Sequence, residues 1–306
     1  MNDRALLTGQ RPMVFAGAPL DRGEVLRRDE DRLAALIGGD EGWWLILRDG
    51  EPLLQPDGAV FWFRRSELDG LGLGPERIFL GHYKGTPCFA AQLAKDSPLP
   101  DGVEMLDARR AAMGLSPDEA AIYGQARSLL AWHGRHGFCA GCGTATQIRS
   151  GGARRVCPAC HSEHYPRVDP VVIMLAVNGE ECLLGRQAAW PPAMWSALAG
   201  FVEPAETLEE ACARELKEEA GVTADMHAIR YVMGQPWPFP GSLMIGLVAP
   251  VSDAAITVDT HELETARWFH RDEVRAMLDG THPDAAMPPS IAIARRLAEL
   301  WVDGAI

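Results

Sequence analysis

The chain has 306 residues, 47% of them apolar and 23% charged, the balance of a folded protein long enough for two or three domains. Acidic residues outnumber Lys and Arg by 42 to 29, a formal net charge of −13. That excess argues against a protein that grips nucleic acid mainly through a basic surface, but not against one that handles phosphates through metal ions. No run of eighteen apolar residues occurs, so no membrane span is expected. Met1 to Gln10 lacks an apolar leader with a small-residue cleavage site, so a cytoplasmic rather than a secreted protein is expected.

Residues 1–130 read as a β-rich domain with a closing helix. Trp43–Leu47, Val60–Phe63, Arg77–Leu80 and Cys88–Ala90 are short apolar runs separated by Gly, Pro and Asp, the punctuation of strands and turns. Ser116-Pro117-Asp118-Glu119 combines a capping box with proline at the first helical position, which predicts a helix running to about Trp132.

Residues 131–166 hold Cys139-Ala-Gly-Cys142 and Cys157-Pro-Ala-Cys160, two knuckles separated by fourteen residues. Four thiolates at this spacing can meet tetrahedrally around one structural Zn²⁺ and leave no coordination position for a reactive water. His161 and His164 beside the second knuckle read as surface or packing residues rather than ligands. Arg149, Arg154 and Arg155 keep a nucleic-acid-binding ribbon in view, against the acidity of the rest. The remaining cysteines, Cys88, Cys182 and Cys212, sit singly in apolar surroundings, as small core residues do.

Residues 167–306 change character. Val171–Val177 is a continuous apolar run suited to a strand covered on both faces, with Cys182–Leu184 as its hairpin partner. Ala197–Gly200, Gly246–Val248 and Arg267–Phe269 are further strand candidates. Pro289–Trp301 reads as a closing helix whose stripe is Ile291, Ala294, Ala298 and Trp301.

Between them lies an acidic helix, capped by Thr207 with Glu210 and stopped by Gly221. At 100° per residue Leu208, Ala211 and Cys212 point inward, and Glu215 and Glu219 continue that stripe with Glu218 on its flank. An acidic helix is ordinarily a solvated face. Here like charges three and four residues apart crowd the inward side, where they repel unless a hard divalent cation sits among them. Such a cation, Mg²⁺ or Mn²⁺, can bridge phosphate oxygens and acidify water. Arg214 is placed to pair with a carboxylate and hold its orientation.

Gly200, Glu206 and Arg214-Glu215-Leu216-x-Glu218-Glu219-x-Gly221-Val222 resemble the Nudix box. Gln235-Pro236-Trp237-Pro238-Phe239-Pro240-Gly241-Ser242, together with the four-cysteine ribbon and Tyr165-Pro166, resembles the NADH pyrophosphatase (NudC-type) branch of that family. Two departures are Gly234, where Ser usually precedes the signature, and Gly152, where some members carry an acidic residue. The resemblance implies an α+β protein with a β-rich N-terminal domain, a zinc ribbon and a C-terminal Nudix α/β/α sandwich.

It also implies metal-dependent hydrolysis of the pyrophosphate bond of NAD(H) to NMN(H) and AMP, with removal of NAD caps from RNA, in a homodimer. Its catalytic residues would be Glu219, Glu215 and Glu218, with Glu206 in support. Ala199, through its carbonyl, and Glu262 would join those three glutamates in holding the divalent metal. Substrate contacts would fall on Arg109, Tyr165, Phe201, Gln235 through Ser242, and Ala294. From the residues alone, the proline-alternating segment is stiff and extended, a rigid loop or a preformed wall for a flat ring. The alternatives are a Nudix enzyme for ADP-ribose or a dinucleoside polyphosphate, a non-catalytic nucleotide sensor, and a ribbon that binds nucleic acid without catalysis.

Overall fold

The structure, a computed structural model, describes residues 13–306; the leader reading over Met1 to Gln10 lies outside them. Two compact units result. One comprises Val14–Val168 with Pro236–Gly241, the other Asp169–Gln235 with Ser242–Ile306.

In the first unit the elements are β1 (Leu20–Asp21), α1 (Glu30–Gly38), β2 (Trp43–Arg48), β3 (Glu51–Leu54), β4 (Trp62–Phe63), β5 (Ile78–Tyr83), β6 (Thr86–Gln92), β7 (Glu104–Met105), α2 (Ala108–Gly114) and α3 (Pro117–Arg135). The sheet order is β1-β5-β6-β2-β3-β7, with β4 on β2. β2 lies parallel to β6, and Trp44–Leu47 are fully buried. Leu45 and Leu47 meet one hydrophobic cluster, which includes α3, and Trp44 and Ile46 meet another. A strand covered on both faces has no reason to alternate polar and apolar residues. The capping box at Ser116 forms as expected. The short helices α1 and α2, which bury only one and three side chains, have no long apolar stripe to mark them in the sequence. A three-stranded sheet, β10 (Glu163–His164), β9 (Arg154–Val156) and β8 (Gln147–Arg149), completes this unit.

The second unit contains β11 (Asp169–Asn178), β12 (Glu181–Arg186), β13 (Leu198–Phe201), α4 (Leu208–Ala220), β14 (Arg230–Trp237, as far as Gln235), β15 (Ser242–Pro250), β16 (Thr265–His270), α5 (Arg271–Asp279) and α6 (Ile293–Val302). Its sheet runs β14-β15-β11-β12-β16, with β13 on β11. β11 and β15 are parallel from Asp169↔Ser242 to Val177↔Pro250. On one face Val172, Met174 and Ala176 pack with Ala211, Cys212 and Leu216 of α4. On the other, Ile173 and Leu175 pack with Val274 and Met277 of α5 and with Leu297, Ala298 and Trp301 of α6. This is an α/β/α sandwich, and the mixed α+β architecture is as the sequence indicated. The closing helix starts at Ile293 rather than Pro289, because Pro289–Ala292 forms a turn (Ala292 N–H to Pro289 O, 3.0 Å). Among the described residues no helix is long and apolar enough to cross a membrane.

Candidate active site

α4 fixes the acidic cluster. Thr207 caps its start by accepting from the Glu210 N–H at 3.2 Å, and Gly221 ends it in the left-handed region at φ 72°. Within the helix Ala211, Cys212 and Leu216 are fully buried, and Glu215 and Glu219 are 8% and 6% exposed, sharing their side. β13 crosses in front: Gly200 pairs with Val172 on β11 and leaves room for the Glu215 carboxyl, since a Cβ there would lie 1.8 Å from Cδ. The loop after β15 returns to the helix end, where the Asp259 N–H donates to the Glu219 carbonyl at 3.0 Å and the Glu262 N–H to the Asp259 carbonyl at 3.2 Å. That closure carries Glu262 back to the helix. Glu215, Glu219 and Glu262 each offer an oxygen within 4.8 Å of the others.

Arg214 organises the other carboxylates. It donates to Glu206 (2.6 and 2.9 Å), Glu215 (2.8 Å), Glu218 (2.9 Å) and the Phe201 carbonyl (2.9 Å). This pairing, with the Glu203 N–H, holds the Glu206 carboxyl at about 2, while the Arg214 guanidinium is itself raised. Burial raises the Glu215 carboxyl, partly opposed by Arg214. Glu219 has no such cation. Its Oε2 is buried without a hydrogen-bond partner. Burial first, then the Glu215, Glu262 and Glu218 charges, pushes its carboxyl up to about 8. An orphaned buried oxygen among like charges is costly, and an all-oxygen set suits a hard cation such as Mg²⁺ or Mn²⁺. The residues therefore fit a divalent metal.

The four ribbon cysteines also converge. Cys139 Sγ lies 3.6 Å from Cys160 Sγ, and Cys142 Sγ 3.5 Å from Cys157 Sγ, all four within one metal-sized group. Neither His161 nor His164 joins it. An all-sulfur tetrad suits structural zinc. Arg155 and His133 tie the ribbon to α3: Arg155 donates to the Thr146 hydroxyl at 2.7 Å and stands 3.2 Å from His133 Nδ1.

The proline-alternating segment is anchored at several points along its length. Gln235 is fully buried; its amide donates to the Ile291 carbonyl at 2.7 Å and its Oε1 accepts from the Ile293 N–H at 3.0 Å. It thereby clamps the start of α6, in whose first turn Ala294 is buried. Pro236–Gly241 belongs to the first unit. There Phe15 meets Trp237 and Phe239 edge-on at 6.2 and 5.9 Å. Arg127 donates to the Pro238 carbonyl at 2.7 Å, and the Arg109 and Arg127 guanidiniums each lie 4.6 Å from the Phe239 ring centroid. Arg109 and the two rings are thus brought together. Phe15 and Arg127 were not expected there, and nothing in their spacing marks them. Phe201 and Tyr165 remain 61% and 60% exposed, available to a ligand. Ala199 is half-buried in β13, one residue before Gly200.

Three family models match the chain in order. Residues 41–132 match an NADH pyrophosphatase-like rudimentary NUDIX domain, 135–165 an NADH pyrophosphatase zinc ribbon domain and 166–289 a NUDIX domain. The human NAD-capped RNA hydrolase NUDT12 is 41% identical over 82% of this chain and 52% of its own length, so the chain spans about half of that relative. The NAD-capped RNA hydrolase NudC of Stutzerimonas stutzeri is 36% identical, covering 85% of this chain and 90% of that one. NudC of Mycobacterium bovis is 37% identical over 92% of both. A glutamate cluster that fits a divalent metal, a four-cysteine ribbon and these matches agree: the chain belongs to the Nudix family, in its zinc-ribbon NADH pyrophosphatase branch.

Proposed function

We propose that this protein hydrolyses the pyrophosphate bond of NAD(H), releasing NMN(H) and AMP, and removes NAD caps from RNA to leave a 5′-monophosphate end. The observation that carries the reading is Glu219, buried and without a partner beside Glu215 and Glu262. The names of the NudC and NUDT12 relatives supply the substrate class. Glu215, Glu218, Glu219 and Glu262, with the Ala199 carbonyl, would hold Mg²⁺ or Mn²⁺. The metal supplies charge neutralisation for the diphosphate and a lowered pKa for water.

The chain's own groups do the rest. Arg214 locks Glu206, Glu215 and Glu218 in place, so the carboxylates are set before substrate arrives and little reorganisation is left for the reaction. A glutamate of this cluster, or water acidified by the metal, would supply the base for the attack. Water adds to one phosphorus, the bridging P–O bond breaks, and its electrons leave on the departing phosphate, with no covalent enzyme intermediate. Phe201 offers an exposed ring for a base, and Tyr165 is a further proposed substrate contact. Arg109, Gln235 through Ser242, and Ala294 complete the proposed substrate contacts, with Gln235 and Ala294 acting through the placement of α6.

We read residues 1–130, 131–166 and 167–306 as the functional segments, the protein as a cytoplasmic homodimer, and zinc as one structural ion per chain. Incubating the protein with NADH, NAD⁺, ADP-ribose and NAD-capped RNA, each with Mg²⁺ or Mn²⁺, and separating the products tests the reading. NMNH with AMP, and 5′-monophosphate RNA, are expected. Intact dinucleotides beside hydrolysed ADP-ribose would overturn it.

A further inference from the structure

The strand pairings of the two units follow one plan. The hairpin β2–β3 closes at Arg48↔Glu51 and β11–β12 at Asn178↔Glu181. Counted back from those turns, Trp44 corresponds to Met174. Trp44 pairs with Phe63 on β4 and Phe89 on β6; Met174 pairs with Leu198 on β13 and Leu247 on β15. On this plan α3 is the counterpart of α6. The differences between the copies are therefore informative.

One difference removes chemistry. Where the second unit has α4 between β13 and β14, the first has only a single turn, Arg65–Leu68, between β4 and β5. No carboxylate cluster of metal-holding geometry occurs in that unit among the described residues.

The other difference opens a cavity. Trp43 and its partner Cys88 correspond to Ile173 and Gly246. In the second unit Ile293 and Leu297 of α6 close over Gly246, at 3.1 and 3.2 Å from where a Cβ would stand. In the first unit the equivalent place is a cavity of about 370 Å³, lined by the half-exposed rings of Trp43, Phe61, Trp62 and Tyr83 with Gln55 and Glu67 at its margin. One of the rings is held by a hydrogen bond: Tyr83 donates to Asp118 in the first turn of α3 at 3.0 Å. Cations stand beside them, the Arg64 guanidinium 3.5 Å from the Trp43 ring centroid and Lys84 Nζ 4.9 Å from that of Tyr83.

Aromatic faces around a cavity of small-molecule size, with few polar groups and adjacent cations, are what a planar base bearing a phosphate requires. Glu67 lines the cavity, its Oε2 accepting from the Arg64 N–H at 2.5 Å, and its other carboxylate oxygen is of the kind that accepts from an exocyclic amine. We propose that this cavity is a second, non-catalytic nucleotide site, taking an amine-bearing nucleobase such as adenine by stacking, with its phosphate toward Arg64 or Lys84. The base could be supplied by a free mononucleotide or by a single-stranded RNA chain; the chemistry of recognition is shared.

Photolabelling of the full chain with 8-azido-AMP, followed by peptide mapping, tests the site directly and separates it from the Nudix unit. Label is expected on peptides within residues 43–88. Trp62→Leu should cut that labelling roughly tenfold, the loss of one stacked base, and leave NADH hydrolysis within about twofold. Glu67→Gln, a rim change that spares the packed rings, should weaken labelling in the same direction. Competition by AMP identifies a free nucleotide as the source, and competition only by 5′-monophosphorylated oligoadenylate identifies RNA. Label confined to residues 169–306, or labelling of 43–88 unchanged in both variants, overturns the proposal, whatever the outcome of the hydrolysis assays.

Discussion

Gly200 and Glu215 are fitted to each other: the strand residue lacks a side chain where the carboxyl of the helix residue lies, 1.8 Å from the position a Cβ would take. Gly200→Ala must therefore displace Glu215 or the strand. Turnover should fall by at least about tenfold, comparable with losing an orienting contact at a metal site, while zinc content is unchanged. Steady-state kinetics with metal analysis checks this, and undiminished turnover would mean that Glu215 has no fixed position to lose.

Arg214 spreads one guanidinium over Glu206, Glu215 and Glu218. Arg214→Lys keeps the charge and loses the fork, so it cannot satisfy three carboxylates at once. A drop of about 10- to 100-fold in kcat is expected, together with weaker Mn²⁺ binding. An effect on KM alone would assign Arg214 to the substrate instead.

The readable part of this site and the unreadable part differ for a physical reason. Helical periodicity placed Glu215 and Glu219 on the buried side of α4, and cap residues bounded the helix, because both depend on neighbours three or four positions away. The ribbon was equally plain, since its ligand spacing is local. The packing of Trp237 and Phe239 against Phe15, and the stacking of Arg109 and Arg127 on Phe239, join residues more than a hundred positions apart. No local pattern carries such contacts. The same holds for Gln235, whose hydrogen bonds to Ile291 and Ile293 at the start of α6 have no local signature. The helices α1, α2 and α5 escaped because tertiary burial of one to three side chains each, rather than a long apolar stripe, stabilises them.

Cys142→Ser removes one of four sulfurs. Structural zinc is coupled to folding, so the variant should bind zinc far more weakly and melt at a lower temperature. Full zinc occupancy with an unchanged melting curve would remove the ribbon assignment.

His133 is buried between the Gly152 carbonyl (Nε2 to O, 2.9 Å) and Arg155, and burial pulls its pKa down to about 4. An unfolded chain binds that proton near pH 6.5. The folded state thus holds fewer protons below that pH, and stability present above about 6.5 is lost as pH falls toward 4. Denaturant midpoints should drop between pH 7 and pH 4.5, and the drop should shrink in His133→Gln. An identical pH slope in both proteins would show that His133 carries a proton in the fold.

The central claim is that Glu219, lacking a cation of its own, completes a binding set for a divalent metal. Titrating the protein with Mn²⁺ and following free Mn²⁺ by electron paramagnetic resonance, for wild type and Glu219→Gln at pH 8, tests this most directly. Tight Mn²⁺ binding by the wild type, weakened at least about tenfold by the substitution with NADH hydrolysis lost in parallel, is the expected result. Equal Mn²⁺ affinity in the two proteins, or hydrolysis that survives in the variant, would contradict it.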